Sequence, residues 1–304
     1  MKNTILALYF LVAVFGLSCE KTDSNKPLTE TPAAYEARIK AWHTEYEKGL
    51  LADDGWLSLA GLVWLEEGEN SIGTGKDFDV ALPDRLAPGK FGTLSLKKGS
   101  VHLKVEKGIE AAASGRSITE IDLLPDTSGD PTVVKSGDIE FLLIKRNEKF
   151  GIRIRDKKNP SRVNFKGLDW FPIDRKYELT ADFEPFEIDR DMPVPNVLGQ
   201  TVQMKSPGML RFKIDGKEYR LQPALNGDGR LFIIFRDLSS KKTTYGAGRF
   251  IYTKMPENGK LVLDFNKAEN PPCAYTEFAT CPLPPSQNEL AVELSVGEKN
   301  FKPQ

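Results

Sequence analysis

Polar and titratable side chains crowd residues 244–281 of a 304-residue chain that holds only two histidines. Tyr245 and Arg249 flank the glycines of "TYGAGR". Asp264, Asn266 and Asn270 lead into "DFNKAENPPCAYTEFATCPLPP", and Tyr275 lies inside it. An arginine beside a carboxylate presents a planar fork for an anionic or polar group, and a neighbouring tyrosine can act as donor or acid. If a strand over 244–253 pairs with one over 260–265 across "KMPENG", Arg249 approaches Asp264. These six residues are therefore the candidate ligand-binding set. A cofactor-independent hydrolase would use Asp264 with Tyr245 or Tyr275 and Arg249. The competing expectation is architectural: Asp264 and Asn266 cap turns and satisfy backbone groups of an irregular loop.

The cysteines in that stretch have a structural reading. Cys273 and Cys281 lie eight positions apart and are expected to form a disulfide in an oxidising compartment. Closing so short a loop stabilises the fold by roughly 2.6 kcal/mol. The prolines at 271, 272, 282, 284 and 285 stiffen it and remove backbone donors, so it cannot be an interior strand. A cysteine nucleophile would need a base, and the two histidines, His43 and His102, fall on a predicted helix and a predicted strand far away in sequence. Structural zinc takes four Cys or His ligands, and this stretch supplies two. No metal and no cofactor are expected, and neither nucleotide-binding glycine motif, GxxxxGKS or GxGxxG, is present.

Three further groups carry chemistry with a blander alternative beside each. Asp169 and Trp170, next to Phe171 and Pro172, could wall a sugar site, though large aromatics in β-domains are more often core. Arg153 and Arg155 alternate along "FGIRIRD", which ends at Asp156. They should share a solvated polar face, with phosphate binding the lesser reading. Glu66, Glu67 and Glu69 read as surface charge flanking a turn rather than a paired acid and base.

The elements that must position these residues are mostly strands. One helix is expected: Thr31 as N-cap, Pro32 as first helical residue, then Tyr35, Ile39, Trp42 and Tyr46 on one face, ending near Gly49. After it, "VHLKVE" and "FGIRIRD" alternate apolar and polar. "MLRFKIDGKEYRLQP" reads as two strands joined by an Asp215-Gly216 turn. "GRLFIIFRD" is a buried strand, "TTYGAGRFIYT" another with glycine relief, "KLVLDF" precedes the cysteine loop and "NELAVELSVGE" closes the fold.

The N-terminus sets the location. Lys2, the apolar run "ILALYFLVAVFGL" and then Ser18 and Cys19 make a signal peptide, too short for a comfortable membrane span. "FGLSCEK" resembles a bacterial lipoprotein signal, which implies lipidation at Cys19. Residues 19–32 have the polar composition of a flexible tether. The chain is expected in the bacterial cell envelope, lipid-anchored and facing the periplasm or cell surface. Lys plus Arg (42) nearly cancel Asp plus Glu (43), so no general field favours nucleic acid.

Two stretches resemble known families. "LVWLEEGENSIGTGKDFDVALPD" is similar to the first strands of forkhead-associated (FHA) domains, β-sandwiches that often read phosphothreonine. Thr74 stands where such readers place an arginine, and "RLAPGKFGT" lacks their serine and histidine. The resemblance therefore implies the sandwich and not the reading of phosphothreonine. "FGIRIRD", "FKGLDWFPID", "VPNVLGQ", "LFIIFRD", "TYGAGRFIY", "LDFNKAENPPCAYTEFATCPLPPSQNEL" and "GEK" resemble the bacterial and archaeal family known as domain of unknown function 1684, which implies no particular chemistry. The expected fold is mainly β: a helix and FHA-like sandwich over 33–160, then an antiparallel sandwich or barrel-like domain over 161–304. The expected function is non-catalytic binding of a small molecule, glycan or protein. A hydrolase and a structural or interaction module are the alternatives.

Overall fold

Thr31 and Pro32 open the helix as expected. The Thr31 hydroxyl accepts from the Ala34 amide at 3.2 Å, and Pro32 has no amide hydrogen to leave unpaired at the start of Pro32–Leu51. The buried stripe runs through Tyr35, Ile39, His43 and Leu50, leaving Trp42 and Tyr46 half-buried at its margin. The computed structural model describes residues 30–84, 86 and 89–302. The expected signal peptide, Cys19 and all but the last residues of the tether lie outside them. Among the described residues no helix is long and apolar enough to cross a membrane.

The next hundred residues form two facing sheets. One runs Leu59–Trp64, Lys149–Asp156, Ile139–Arg146, Val133–Ser136, Ala112–Ala113, Arg116–Ser117. The other runs Val80–Leu82, Gly68–Thr74, Gly89–Lys97, Ser100–Val105, Glu120–Leu123. Ile72, Leu94, Leu103, Phe141, Ile152 and Ile154 fill the core between them. In Lys149–Asp156, Ile152 and Ile154 turn inward, so Arg153 and Arg155 take the opposite face. That face is not solvated at Arg153, contrary to expectation: the residue is only 6% exposed. The cysteine loop approaches it, and Thr280 Oγ1 accepts from Arg146 Nε at 2.9 Å and Arg153 Nη2 at 3.4 Å.

The second half is also built of two sheets. Thr201–Ile214 and Lys217–Leu221 form the expected hairpin, with Asp215 and Gly216 at φ 49° and 77°, as a two-residue primed turn requires. Thr201–Ile214 pairs in turn with the long strand Glu178–Pro195, whose other neighbour is Lys260–Asp264. The second sheet holds Ala224–Leu225, Leu231–Asp237 and Arg249–Thr253, with Glu289–Leu290 parallel beside Leu231–Asp237. Leu231, Ile233 and Phe235 pack with Leu210, Phe212 and Leu263. Phe232 and Ile234 face the other way, toward Met192, Val194 and Cys281. A strand covered on both faces needs apolar residues at successive positions, which accounts for "LFIIF".

Three expected strand features differ. "TTYGAGRFIYT" is strand only over Arg249–Thr253. The turn before it ends at Gly248, at φ 97°, where a side chain would meet the Phe235 carbonyl at 2.5 Å. "NELAVELSVGE" is strand only over Glu289–Leu290. Beyond it, Asp237 accepts from the Leu294 amide and Arg249 donates to the Leu294 and Val296 carbonyls, so side chains replace a strand ladder. Arg249–Thr253 and Lys260–Asp264 do not pair with each other: the first joins Leu231–Asp237 and the second joins Glu178–Pro195. "KMPENG" therefore passes from one sheet to the other.

The helix belongs by contact to the second half. Sequence order placed it with 33–160, yet its buried polar side chains reach residues 264–275. Tyr35 meets Asp264, His43 meets the Asn266 carbonyl, and Tyr46 meets Tyr275.

Candidate ligand cleft

The six candidate residues fall into four separate settings. Asp264 ends a strand and caps the short turn after it. Its Oδ1 accepts from Tyr35 Oη at 3.1 Å and from the Asn266 amide and Nδ2, each at 3.0 Å. Its Oδ2 is buried and carries no hydrogen bond. Asn266 uses its side chain to hold the backbone of Asp174, at 2.9 Å in both directions. The capping role expected of this pair is therefore real, but it occupies only one of the two Asp264 oxygens.

Arg249 is elsewhere. It is 0% exposed and pairs with Asp237 Oδ2 at 2.8 Å rather than with Asp264. Burial lowers its pKa from the usual guanidinium value, and the Asp237 charge opposes that shift. The expected Arg249–Asp264 fork is thus absent, because Arg249 begins a strand of one sheet and Asp264 ends a strand of the other. Tyr245 Oη donates to the Cys273 carbonyl at 3.0 Å, a loop-holding contact. Burial raises its pKa.

Asn270 and Tyr275 meet at a residue that sequence reasoning missed. Glu298, 1% exposed, accepts from the Asn270 amide and Nδ2 at 2.7 Å, and from Tyr275 Oη at 2.7 and 2.8 Å. Burial pushes its carboxyl up to about 7, against the pull of those donors. Glu298 sits in the quoted "GEK", but nothing local distinguishes it from a surface glutamate. Cys273 and Cys281 are joined as a disulfide with Cα atoms 6.1 Å apart.

A cleft of about 420 Å³ opens beside Asp264 between the helix and the two sheets. Arg38 and Trp42 come from the helix, Tyr252, Lys254 and Met255 from the end of Arg249–Thr253, and Lys267 from the turn that Asp264 caps. Arg38 is committed to Glu30 and to Glu178, at 3.0 and 2.6 Å. Glu178 has its pKa raised by burial, with Arg38 pulling the other way. Lys254 and Lys267 make no ion pair with a described residue. Burial lowers the Lys267 pKa, and Asp264 resists. The Tyr252 ring is stacked on Phe232 with centroids 4.7 Å apart, which fixes it as a wall. Such a site can hold an anion and an apolar ring face together.

The remaining candidates lie outside this cleft. Trp170 stacks on His43 with centroids 3.7 Å apart, and its Nε1 donates to Glu47 at 3.1 Å, so it fastens the helix rather than lining a cleft. Asp169, Glu66, Glu67 and Glu69 are exposed. Among the described residues no three His, Cys, Asp or Glu side chains are placed to hold a metal ion. A larger hollow of about 820 Å³ lies where Leu59, Asp156 and Pro160 meet Tyr275, Thr276 and Phe278.

Residues 163–299 match the model of a family described as a protein of unknown function, DUF1684. All six candidates and Glu298 fall inside the DUF1684 segment, whereas the helix that supplies Arg38 and Trp42 lies before it. An uncharacterized protein of Haloarcula marismortui, solved by NMR, is similar at 29% identity over 45% of this chain and 78% of its own, with a TM-score of 0.39. The FHA domain of FhaA is similar at 18% identity over 31% of this chain and 97% of that one, TM-score 0.22. The FHA-2 domain of a Mycobacterium tuberculosis ABC transporter is similar at 23% identity over 29% and 77%, TM-score 0.23. Both resemblances read from the sequence return in these comparisons. No curated protein matches.

Proposed function

We propose that this chain is a binding protein whose cleft takes a small acidic, hydroxylated molecule, and that it works anchored to a bacterial envelope membrane by lipid on Cys19. Excess positive charge carries the ligand reading: five cations, Lys254 and Lys267 among them, line the cleft against Glu178, Glu257 and Asp264. Burial partly desolvates Lys267, and such a cation favours an anionic ligand. Trp42, Tyr252 and Met255 offer apolar surface, and Asp264 keeps one oxygen without a donor. An acidic sugar combines the matching features: a carboxylate, hydroxyl donors and an apolar ring face. The anchor rests on the apolar run 5–17, the cysteine after it and the polar tether. A disulfide in the C-terminal loop agrees with an oxidising compartment.

Glucuronate, glucose and benzoate are the discriminating probes in a thermal-shift titration. Glucuronate should raise the melting temperature saturably and glucose should not. Benzoate separates a requirement for hydroxyls from one for charge alone. Lys267→Ala and Trp42→Ala should each weaken the glucuronate response while leaving the unliganded protein folded. An unresponsive parent protein, or a Lys267→Ala response equal to the parent's, removes the proposal.

A further inference from the structure

Strand register puts three arginines on one face of the first sandwich. Leu142 stands opposite Arg153, Glu140 opposite Arg155, and Arg146 opposite Lys149. Residues of alternate parity, Phe141, Leu143, Ile152 and Ile154, face the core, so Arg146, Arg153 and Arg155 all point the other way. Burial there leaves cations with too few counter-charges. Arg146 is matched by Asp126 at 2.8 Å. Glu140, across from Arg155, is engaged by Lys135 at 2.9 Å and Lys157 at 3.6 Å instead. Neither Arg153 nor Arg155 forms an ion pair with a described residue, and the Nε of each is buried without a hydrogen bond.

Arg153 is the anomaly. It is 6% exposed, and its hydrogen bond is a long one to the Thr280 hydroxyl, at 3.4 Å. Its guanidinium lies 5.8 Å from the Trp56 ring centre, and Trp56 is 37% exposed, so the group is buried close to the surface. A guanidinium out of water without an anion is costly, and an anion with hydrogen-bonding oxygens is what relieves it. We propose that Arg153, Arg146, Arg155 and the Thr280 hydroxyl form a binding site for an oxyanion, a phosphoryl or carboxylate group, at the seam between the first sandwich and the cysteine loop. The planar forks of arginine suit both groups. Burial, then the Arg146 charge, already hold the Arg153 guanidinium down to about 10, and a bound anion would reverse that. This site is separate from the cleft beside Asp264 and shares no residue with it.

The test is isothermal titration of the intact protein in chloride buffer with inorganic phosphate and, separately, with acetate. Saturable binding of phosphate marks a phosphoryl site, and saturable binding of acetate alone marks a carboxylate site. Either should weaken roughly tenfold or more in Arg153→Gln, the scale of one charge-assisted hydrogen bond. Lys205→Ala, which removes an exposed cation that lines neither site, should bind whichever probe the parent binds as tightly as the parent does. Should Arg153→Gln fail to fold, Thr280→Val supplies the second variant and is expected to weaken binding several-fold. The proposal is overturned if neither anion binds, or if the variant that folds binds as tightly as the parent.

Discussion

Glu298 is a carboxyl whose surroundings oppose each other. Three donors, the Asn270 amide and Nδ2 and the Tyr275 hydroxyl, favour its ionised form, yet burial outweighs them and raises it from 4.5 to about 7. An acid that binds its proton more tightly when folded stabilises the fold fully below about 4.5 and loses that contribution as the pH climbs through about 7. The difference corresponds to roughly 3 kcal/mol. Urea unfolding of the parent should therefore show stability falling between pH 5 and pH 8. Glu298→Gln, neutral throughout, should follow a flatter profile. Its effect includes Glu269, whose carboxyl is raised by burial and further by the Glu298 charge. Parallel pH profiles for parent and variant would show that Glu298 titrates normally. Arg249 and Asp237 pose the contrasting case, a buried pair in which each charge answers the other.

At the scale of elements, the cysteine loop is a clasp. Its backbone meets the long hairpin through Val197 to Cys281 at 3.1 Å and Leu283 to Pro195 at 2.7 Å. Tyr245 holds it from the turn before Arg249–Thr253, and Thr280 reaches the first sandwich. The disulfide limits how far this segment wanders when unfolded. The double variant Cys273→Ala/Cys281→Ala should lose roughly 2–3 kcal/mol in urea unfolding, and the reduced parent should match it. A loss below about 0.5 kcal/mol, the range of a neutral surface change, would mean that prolines and hydrogen bonds hold the loop without the bridge. The helix is a second clasp: Tyr35, His43 and Tyr46 tie it to residues 264–275, and Arg38 and Trp42 carry it into the cleft wall.

For the whole molecule, near-neutral charge leaves local fields to decide what binds. Two such fields are cationic: the cleft with Lys254 and Lys267, and the seam with Arg153 and Arg155. The proposed anchor adds a prediction at this scale. Cys19→Ala, expressed in a bacterium, should move the protein from the membrane pellet to the soluble envelope fraction, read by immunoblot. Equal partition of parent and variant would remove the anchor from the proposal. Because the helix begins at Pro32, shortly after Cys19, the cleft it lines would lie within a short tether's reach of the membrane.

The sequence by itself determined the features whose causes lie within a few residues. Thr31 and Pro32 start a helix, Asp215-Gly216 turns a hairpin, alternation marks Lys149–Asp156, and Cys273 lies within bridging distance of Cys281. Each depends on backbone preference, side-chain period or loop length, all readable from neighbours. Tertiary structure decided the partners of the charges. Asp264 bonds Tyr35 across 229 positions, Arg249 chooses Asp237 over Asp264, and Arg153 is buried by a loop more than a hundred residues later. The short range of hydrogen bonds is the reason: a charge pairs with whatever the order of strands brings within about 3 Å, and that order is a property of the assembled sheets.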